Sequence, residues 1–460
     1  MKKILTVALS VLFILGLAYG GANYWIGSQA RRFHDQSIAR INGSKDLKAS
    51  VISYKRGLFS SRAITRLTVR PSRKGNPISF EVVDTIYNGP FVFLHDPHLQ
   101  DGLRPVMAVV RTRLAPGPDT GAVLKEIPEL ASAEVLTVLT LGGNASSYLD
   151  IPAFQHSFPD HKGGQTAVKW GGLAGTLHFD SQLSKADGSL TCPSLLVSGP
   201  DGRLQVENVR GRFGSHPGIE GITVGSTSVS IGDIKSVKDG HSVFTLSSAD
   251  LRAQSRVEGK KISGSIRLDF GKLDTGGLGL GPFAIDIEAR RLDAGVLARF
   301  QKLAPVLQRE EIQNDKAAKY QARILLLKMA ADLLAGRPEL EIKQLDLRTE
   351  KGDLTGTARL GFDGADKGFS RNILMLLASM DANAQLSVSQ ALFYFVAQNA
   401  LDKNGVSGSD QAKTDAANLA ARFLAAKYMI SEAGAFKSSA AFKHGVLTVN
   451  GSRLGLSKLP

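Results

Sequence analysis

The chain has 460 residues, a formal net charge of +14 and one cysteine, Cys192. Its apolar and charged fractions are ordinary for a globular protein, which excludes a disordered chain, and the length suits two or three domains. A lone cysteine excludes an intramolecular disulfide framework and a cysteine-based metal cluster; it fits a small apolar side chain in a periplasmic protein that folds without covalent staples.

Lys2 and Lys3 precede an apolar run from Ile4 to Ile26, and no charge follows until Arg31. A membrane-spanning helix needs about 20 apolar residues, and a single span must satisfy its own backbone hydrogen bonds, so the run reads as one transmembrane helix. Ile4 and Phe13 lie within the run, and Tyr24, Trp25 and Ile26 sit at its far end, where aromatic rings favour the headgroup layer. The small-x-small triplet Ala18-Tyr19-Gly20 offers a cleavage site, but apolar character continues beyond it, which favours an uncleaved anchor. Gly16 and Gly20 have the spacing that lets two such helices pack. The short N-terminal stub and the long downstream body place that body outside the cytoplasm.

Between Arg31 and Lys74 stand twelve basic residues against two acids, Asp35 and Asp46. Such a stretch beside a membrane is drawn to anionic headgroups, or it is a solvated basic face. Nucleic acid is not expected as a partner, because no nucleic-acid fold motif accompanies the charge. Residues 30–41 have helical spacing, ended by Asn42-Gly43. From Leu47 the period becomes two. Strands are expected from Leu47 and from Ile64, turned by the block around Gly57, and from Ile78 to Ile86, ended by a turn at Asn88-Gly89-Pro90.

The block Tyr54-x-Arg56-Gly57-x-Phe59-Ser60-Ser61, the turn Asn88-Gly89-Pro90-Phe91 and the preceding anchor together resemble the YdgA family. Gly281-Pro282-Phe283, running into Ile285-Asp286-Ile287, is also similar to that family. The resemblance spans most of the chain. It implies a bacterial, membrane-anchored, envelope-facing protein of unassigned activity. Many members carry His at the position of Asn88, and the resemblance transfers no catalytic residue.

Further strands are expected at 106–113, 134–141, 176–179, 195–198, 204–213, 226–234 and 244–251, with 151–162 irregular. Ile262, Ile266, Leu268 and Phe270 share one strand face, as do Phe283, Ile285, Ile287 and Ala289; such alternation suits an antiparallel sheet with one apolar face. Near Asp293 the period becomes helical, with Pro305 placed to kink or split the first helix and a second running from Asn314 to Ala335; the pair reads as an insertion or lid. Strands return at 340–348 and 354–362. Ser389 is placed to cap a helix carrying Leu392 to Val396, a further helix starts at Ser409-Asp410, and a hairpin across His444-Gly445 closes the chain.

Chemistry is harder to find. His95-Asp96-Pro97-His98 pairs two histidines, but proline denies them a helical scaffold and no third ligand is evident. His156 and His161 give a similarly weak signal. Gly277-x-Gly279-x-Gly281 leads into a strand, not a helix, and reads as a turn. No catalytic residue, metal ligand or cofactor site is assigned, and an enzyme is not expected.

The expected fold is α+β: a large antiparallel β-rich body with late helices and one N-terminal transmembrane helix. Its parts are an anchor over 1–30, a β-rich domain over 31–292, a helical insertion over 293–336 and a C-terminal α+β part over 337–460 packed on the same body. The expected function is that of a single-pass inner-membrane protein with its C-terminal body in the periplasm, acting without catalysis through contacts with membrane lipids or protein partners. The alternative is a lipid or hydrophobic-ligand carrier that uses a β-sheet groove.

Overall fold

A computed structural model describes residues 42, 47–56, 60–69, 77–88, 106–117, 120–159, 163–182, 184–275, 279–307, 316–362, 379–401 and 410–454. The anchor run, Gly57, Phe59, Gly89, Pro90 and Phe91 lie outside these residues, as do His95, His98 and His161. The chain forms two compact units, residues 1–215 with 229–242 and residues 216–228 with 243–460. Both are built on antiparallel strands, and five α-helices accompany them among the described residues.

In the first unit β1 (Leu47–Arg56), β2 (Ser60–Val69), β3 (Ile78–Asn88) and β4 (Val106–Ala115) pair in succession as antiparallel neighbours. A short helix α1 (Thr120–Glu126) and a 3-10 turn (Pro128–Ser132) lead into β5 (Glu134–Thr140) and β6 (Ala145–Ile151). The Thr120 hydroxyl organises the entry to α1, accepting from the Gly117 amide at 2.8 Å. β5 pairs β4 and β6. Next come β7 (Phe154–Pro159), β8 (Gln165–Trp170), β9 (Leu173–Phe179) and β10 (Ala186–Gly199).

Residues 154–159, read from sequence as irregular, are therefore a strand; they pair β8 from Phe154↔Trp170 to Pro159↔Gln165. β9 pairs β6 and the first half of β10, whereas β8 pairs its second half. The hairpin is bent at Gly171-Gly172. Gly172 has φ +95°, and a Cβ on Gly171 would lie 2.4 Å from Ser194 Oγ, so this corner needs glycine. β11 (Gly202–Pro217) continues from β10.

The main core of this unit gathers Leu67, Phe80, Leu114, Leu149 and Trp170 from the sheet with Ile127 and Leu130 from the segment between β4 and β5. A second cluster holds Ala63, Ile86, Val110 and Leu139; Val109 and Leu136 lie in a third, on the opposite phase of the same strands. Strands β4 and β5 are thus buried on both faces, which explains their near-continuous apolar runs.

β12 (Thr223–Lys238) and β13 (His241–Glu258) precede the sheet of the second unit. That sheet continues through β14 (Lys261–Phe270), the short β15 (Lys272–Asp274), β16 (Gly279–Asp293), β17 (Glu339–Thr349), β18 (Gly352–Phe362) and β19 (Met380–Ser389). Between β16 and β17 stand α2 (Ala294–Leu307) and α3 (Lys316–Ala335). Asp293 caps α2 by accepting from the Val296 amide at 2.9 Å. Pro305 does not split this helix; it falls within its last turn.

α4 (Gln390–Leu401) and α5 (Asp410–Ala425) precede β20 (Ile430–Glu432), β21 (Ala435–Lys443), β22 (Val446–Val449) and β23 (Ser452–Leu454). β21 returns to pair β19 along its whole length. Ser389 is not the cap of α4: it ends β19, and its buried Oγ has no hydrogen-bond partner among the described residues. The closing hairpin turns through His444 and Gly445, both with positive φ, as a tight two-residue turn requires.

Candidate functional site

The central strands of the second unit alternate apolar and polar residues, and the register aligns the apolar ones across the sheet. One row runs Ile266–Ile287–Ile342–Ala358–Ala384–Ala440 over β14, β16, β17, β18, β19 and β21. Its neighbour runs Leu268–Ile285–Leu345–Gly356–Leu386–Ser438. Flanking rows begin at Gly264 and at Phe270, whose ring stacks on Phe283 at 4.8 Å. Six strands about 4.8 Å apart and four rows about 6.6 Å apart make an apolar field of about 24 Å by 20 Å.

Among the described residues, helices close only its corners. Phe393 and Tyr394 of α4 pack on Phe436 and Val388. At another corner Ala294 and Leu297 of α2 pack with Ile262 and Val257. Between them the field is open: Ile266 is 53% exposed, Leu340 47% and Leu386 44%. An open apolar field of this extent is near the top of what a soluble monomer shows and is commonly a binding surface.

The opposite face is charged and internally paired. Glu288, almost fully buried, receives Lys343 at 2.7 Å, Arg290 at 2.9 Å and Arg256 at 3.4 Å. The hydrogen bond from Lys343, ahead of the nearby arginine charges, holds its carboxyl below the usual range despite burial. Glu339 is held by Arg291 at 3.2 Å and by Arg359, and Arg267 grips Asp269 at 2.8 Å. A one-residue slip of any central strand would carry these ion pairs onto the apolar field, so the charged face defines the register and keeps the other face apolar.

In the first unit, the described motif residues Tyr54, Arg56, Ser60, Ser61 and Asn88 come together at one end of the sheet. Arg56 is paired with Ser61 and Ser61 with Ile86; Ser60 is opposite Tyr87, and Asn88 is opposite Ala108. Ser61 is buried, and Tyr54 packs against the cluster of Ala63, Ile86 and Ala108. The motif is therefore the end of a packed sheet where β1 to β4 meet.

Deeper on the same sheet lies a group that no sequence motif marks. Asp84 is paired with Ala63 and Thr112, and the Thr112 hydroxyl donates to its Oδ1 at 2.6 Å. Thr137 and Ser147, both buried, share a hydroxyl hydrogen bond of 2.9 Å nearby on the sheet. Burial pushes the Asp84 carboxyl up to about 6, against the opposing pull of the Thr112 hydrogen bond. Its phase was the available signal, since Phe80, Val82, Asp84 and Ile86 alternate on one side of β3 and only Asp84 is charged.

The remaining candidates do not converge. His156 pairs with Glu129 at 2.9 Å. Among the described residues no group of three or more His, Cys, Asp or Glu is placed to hold a metal ion. Cys192 is half-buried against the main core, and burial raises its thiol pKa.

Over residues 1–456 the sequence matches a family described as bacterial protein of unknown function, DUF945. The chain belongs to DUF945. No curated protein and no solved structure matches it. For this DUF945 chain, then, the apolar field and the charged face beneath it carry the functional reading.

Proposed function

We propose that this protein is tethered to the bacterial inner membrane, faces the periplasm, and binds lipid acyl chains or similarly extended apolar molecules on the open sheet face of its second unit. The observation that carries the reading is the open field around Ile266, Leu340 and Leu386, whose side chains are about half-exposed although each belongs to an aligned apolar row. Covering such side chains stabilises a complex by about 25 cal/mol per Å² removed from water. Half of a bilayer core is about 15 Å thick, so one acyl chain fits within the field. Small residues at Gly356, Ala358, Ala384 and Ala440 leave a shallow floor between the larger Ile and Leu side chains.

The tether rests on the Ile4–Ile26 run. The finer likeness to the YdgA members of DUF945, carried by the motifs at Tyr54–Ser61 and Asn88–Phe91, supports an envelope location. No bond-making step is required of any residue; the protein acts by contact and transfer.

The test is native mass spectrometry of the full chain released from detergent. Lipid-mass adducts are expected on the unmodified protein, and a double variant, Ile266→Glu with Leu386→Glu, is expected to reduce their occupancy about tenfold or more. Both positions are exposed enough to accept a carboxylate without unfolding the sheet. A lipid-free protein, or adducts indifferent to the two carboxylates, would sink the proposal.

A further inference from the structure

Helix α3 is apolar on two opposite sides. Its inner side carries the buried Met329 and Leu325, itself 42% exposed, which with Leu303 of α2 line an open groove of about 490 Å³ between the two helices. Its outer side carries Tyr320, Ile324 and Leu327, at spacings of four and three residues, and these are 67%, 49% and 61% exposed. Between the two apolar sides the flanks are basic: Lys319 and Arg323 on one and Lys328 on the other, where Lys328 also lines the groove with Lys302 of α2. The acid of the helix, Asp332, pairs with Arg299 at 2.8 Å.

We infer that α3 is a membrane-docking element that seats its outer ridge in the interface of an anionic bilayer. A helix lying in the interface buries an apolar ridge at the acyl boundary and places Lys and Arg beside it at headgroup level. α3 meets both conditions. The ridge Tyr320–Ile324–Leu327 enters the membrane, and Lys319, Arg323 and Lys328 flank it at the phosphates. Five charged residues along its 20 positions, Lys316, Lys319, Arg323, Lys328 and Asp332, bar it from spanning. Its charge selects the occupant. A second copy of the same ridge would set Arg323 and Lys328 against like charges, whereas phosphatidylglycerol-type headgroups neutralise them. Docking goes beyond acyl-chain binding on the sheet and is independent of it, since α3 shares no residue with the open field.

The test uses the full chain in vesicles of phosphatidylcholine alone or mixed with phosphatidylglycerol. A bimane probe is placed on Leu327→Cys in a Cys192→Ala background, and lipids brominated high on their chains serve as quencher. Quenching is expected in the anionic vesicles and is expected to fall in zwitterionic ones or at high salt. A probe on Thr357→Cys, on the charged sheet face, is expected to stay unquenched. Lys319→Gln with Arg323→Gln and Lys328→Gln is expected to lower the docked-to-undocked ratio on the order of 100-fold, about fivefold for each charge at the surface. A Leu327 probe that is equally unquenched in both vesicle types overturns the inference. So does shielding that follows protein density and not phosphatidylglycerol content, which would identify a second copy as the occupant. Lipid adducts on the sheet are read separately by mass spectrometry, so either proposal can fail alone.

Discussion

Phe80→Ala is expected to destabilise the first unit by about 3–5 kcal/mol, the range for deleting a fully buried aromatic side chain. Phe80 has no exposed surface, is paired with Leu67 across β2 and β3, and lies in the cluster that joins the sheet to Ile127 and Leu130. Alanine leaves a void between strand and connecting segment that neither closes, because β3 is held by hydrogen-bonded neighbours on both sides. Phe80→Leu fills most of the space and is expected to cost under about 2 kcal/mol. Trp170 belongs to the same cluster, so its fluorescence in a Trp25→Phe background reports the denaturant midpoint of this unit. The expected result is a lower midpoint at unchanged slope. A loss below about 1 kcal/mol would show that Phe80 is not part of a close-packed core.

Much of this architecture is written in alternation. The faces read from Ile262 to Phe270 and from Phe283 to Ala289 are the ones that the register aligns, because a period of two has only two phases and one is charged. What failed has local causes. β7 begins after Pro152 and ends at Pro159, so its composition reads as a loop; its strand geometry comes from pairing with β8, and the terminal proline sits where a strand tolerates it. β19 carries Asp-Ala-Asn-Ala-Gln, residues of weak strand preference, and becomes a strand between β18 and β21. Ser389 has the chemistry of a cap, but its position at the end of β19 packs it against Gly352, away from the first amides of α4.

The candidate site was legible only in part. Periodicity reveals that Ile266 and Leu386 belong to apolar phases, yet not that the elements following them leave those phases uncovered. α3 hides its role for a related reason: apolar residues on two opposite sides cancel in any single-face pattern, so its exposed ridge emerges only once Met329 is seen to face α2.

Asp84→Asn is expected to stabilise the protein at neutral pH, with a gain that vanishes in acid. The folded carboxyl titrates near 6 against an ordinary value of 3.8, so the native state binds the proton more tightly than the unfolded chain. Stability linked to this group is fully present below about 3.8, declines as pH rises to about 6, and is absent above it. A difference of about 2 pH units corresponds to about 3 kcal/mol of cost at pH 7 from holding a charged carboxylate in this interior. Asparagine keeps the shape and an oxygen acceptor for the Thr112 hydroxyl while removing the charge, so most of that cost is relieved. Thermal unfolding of the two proteins across pH 4 to 8 distinguishes the cases: the curves are expected to meet at the acid end and to separate through the window between about 3.8 and 6. A constant offset at every pH would mean that Asp84 acts through packing alone. A variant less stable at pH 7 would mean that the ionised carboxylate is held by favourable contacts, and would overturn the reading of Asp84 as a destabilising buried charge. The predicted penalty also gives β3 its sharpest question, since a residue that costs the fold about 3 kcal/mol at neutral pH stands beside a threonine that any uncharged acceptor would satisfy.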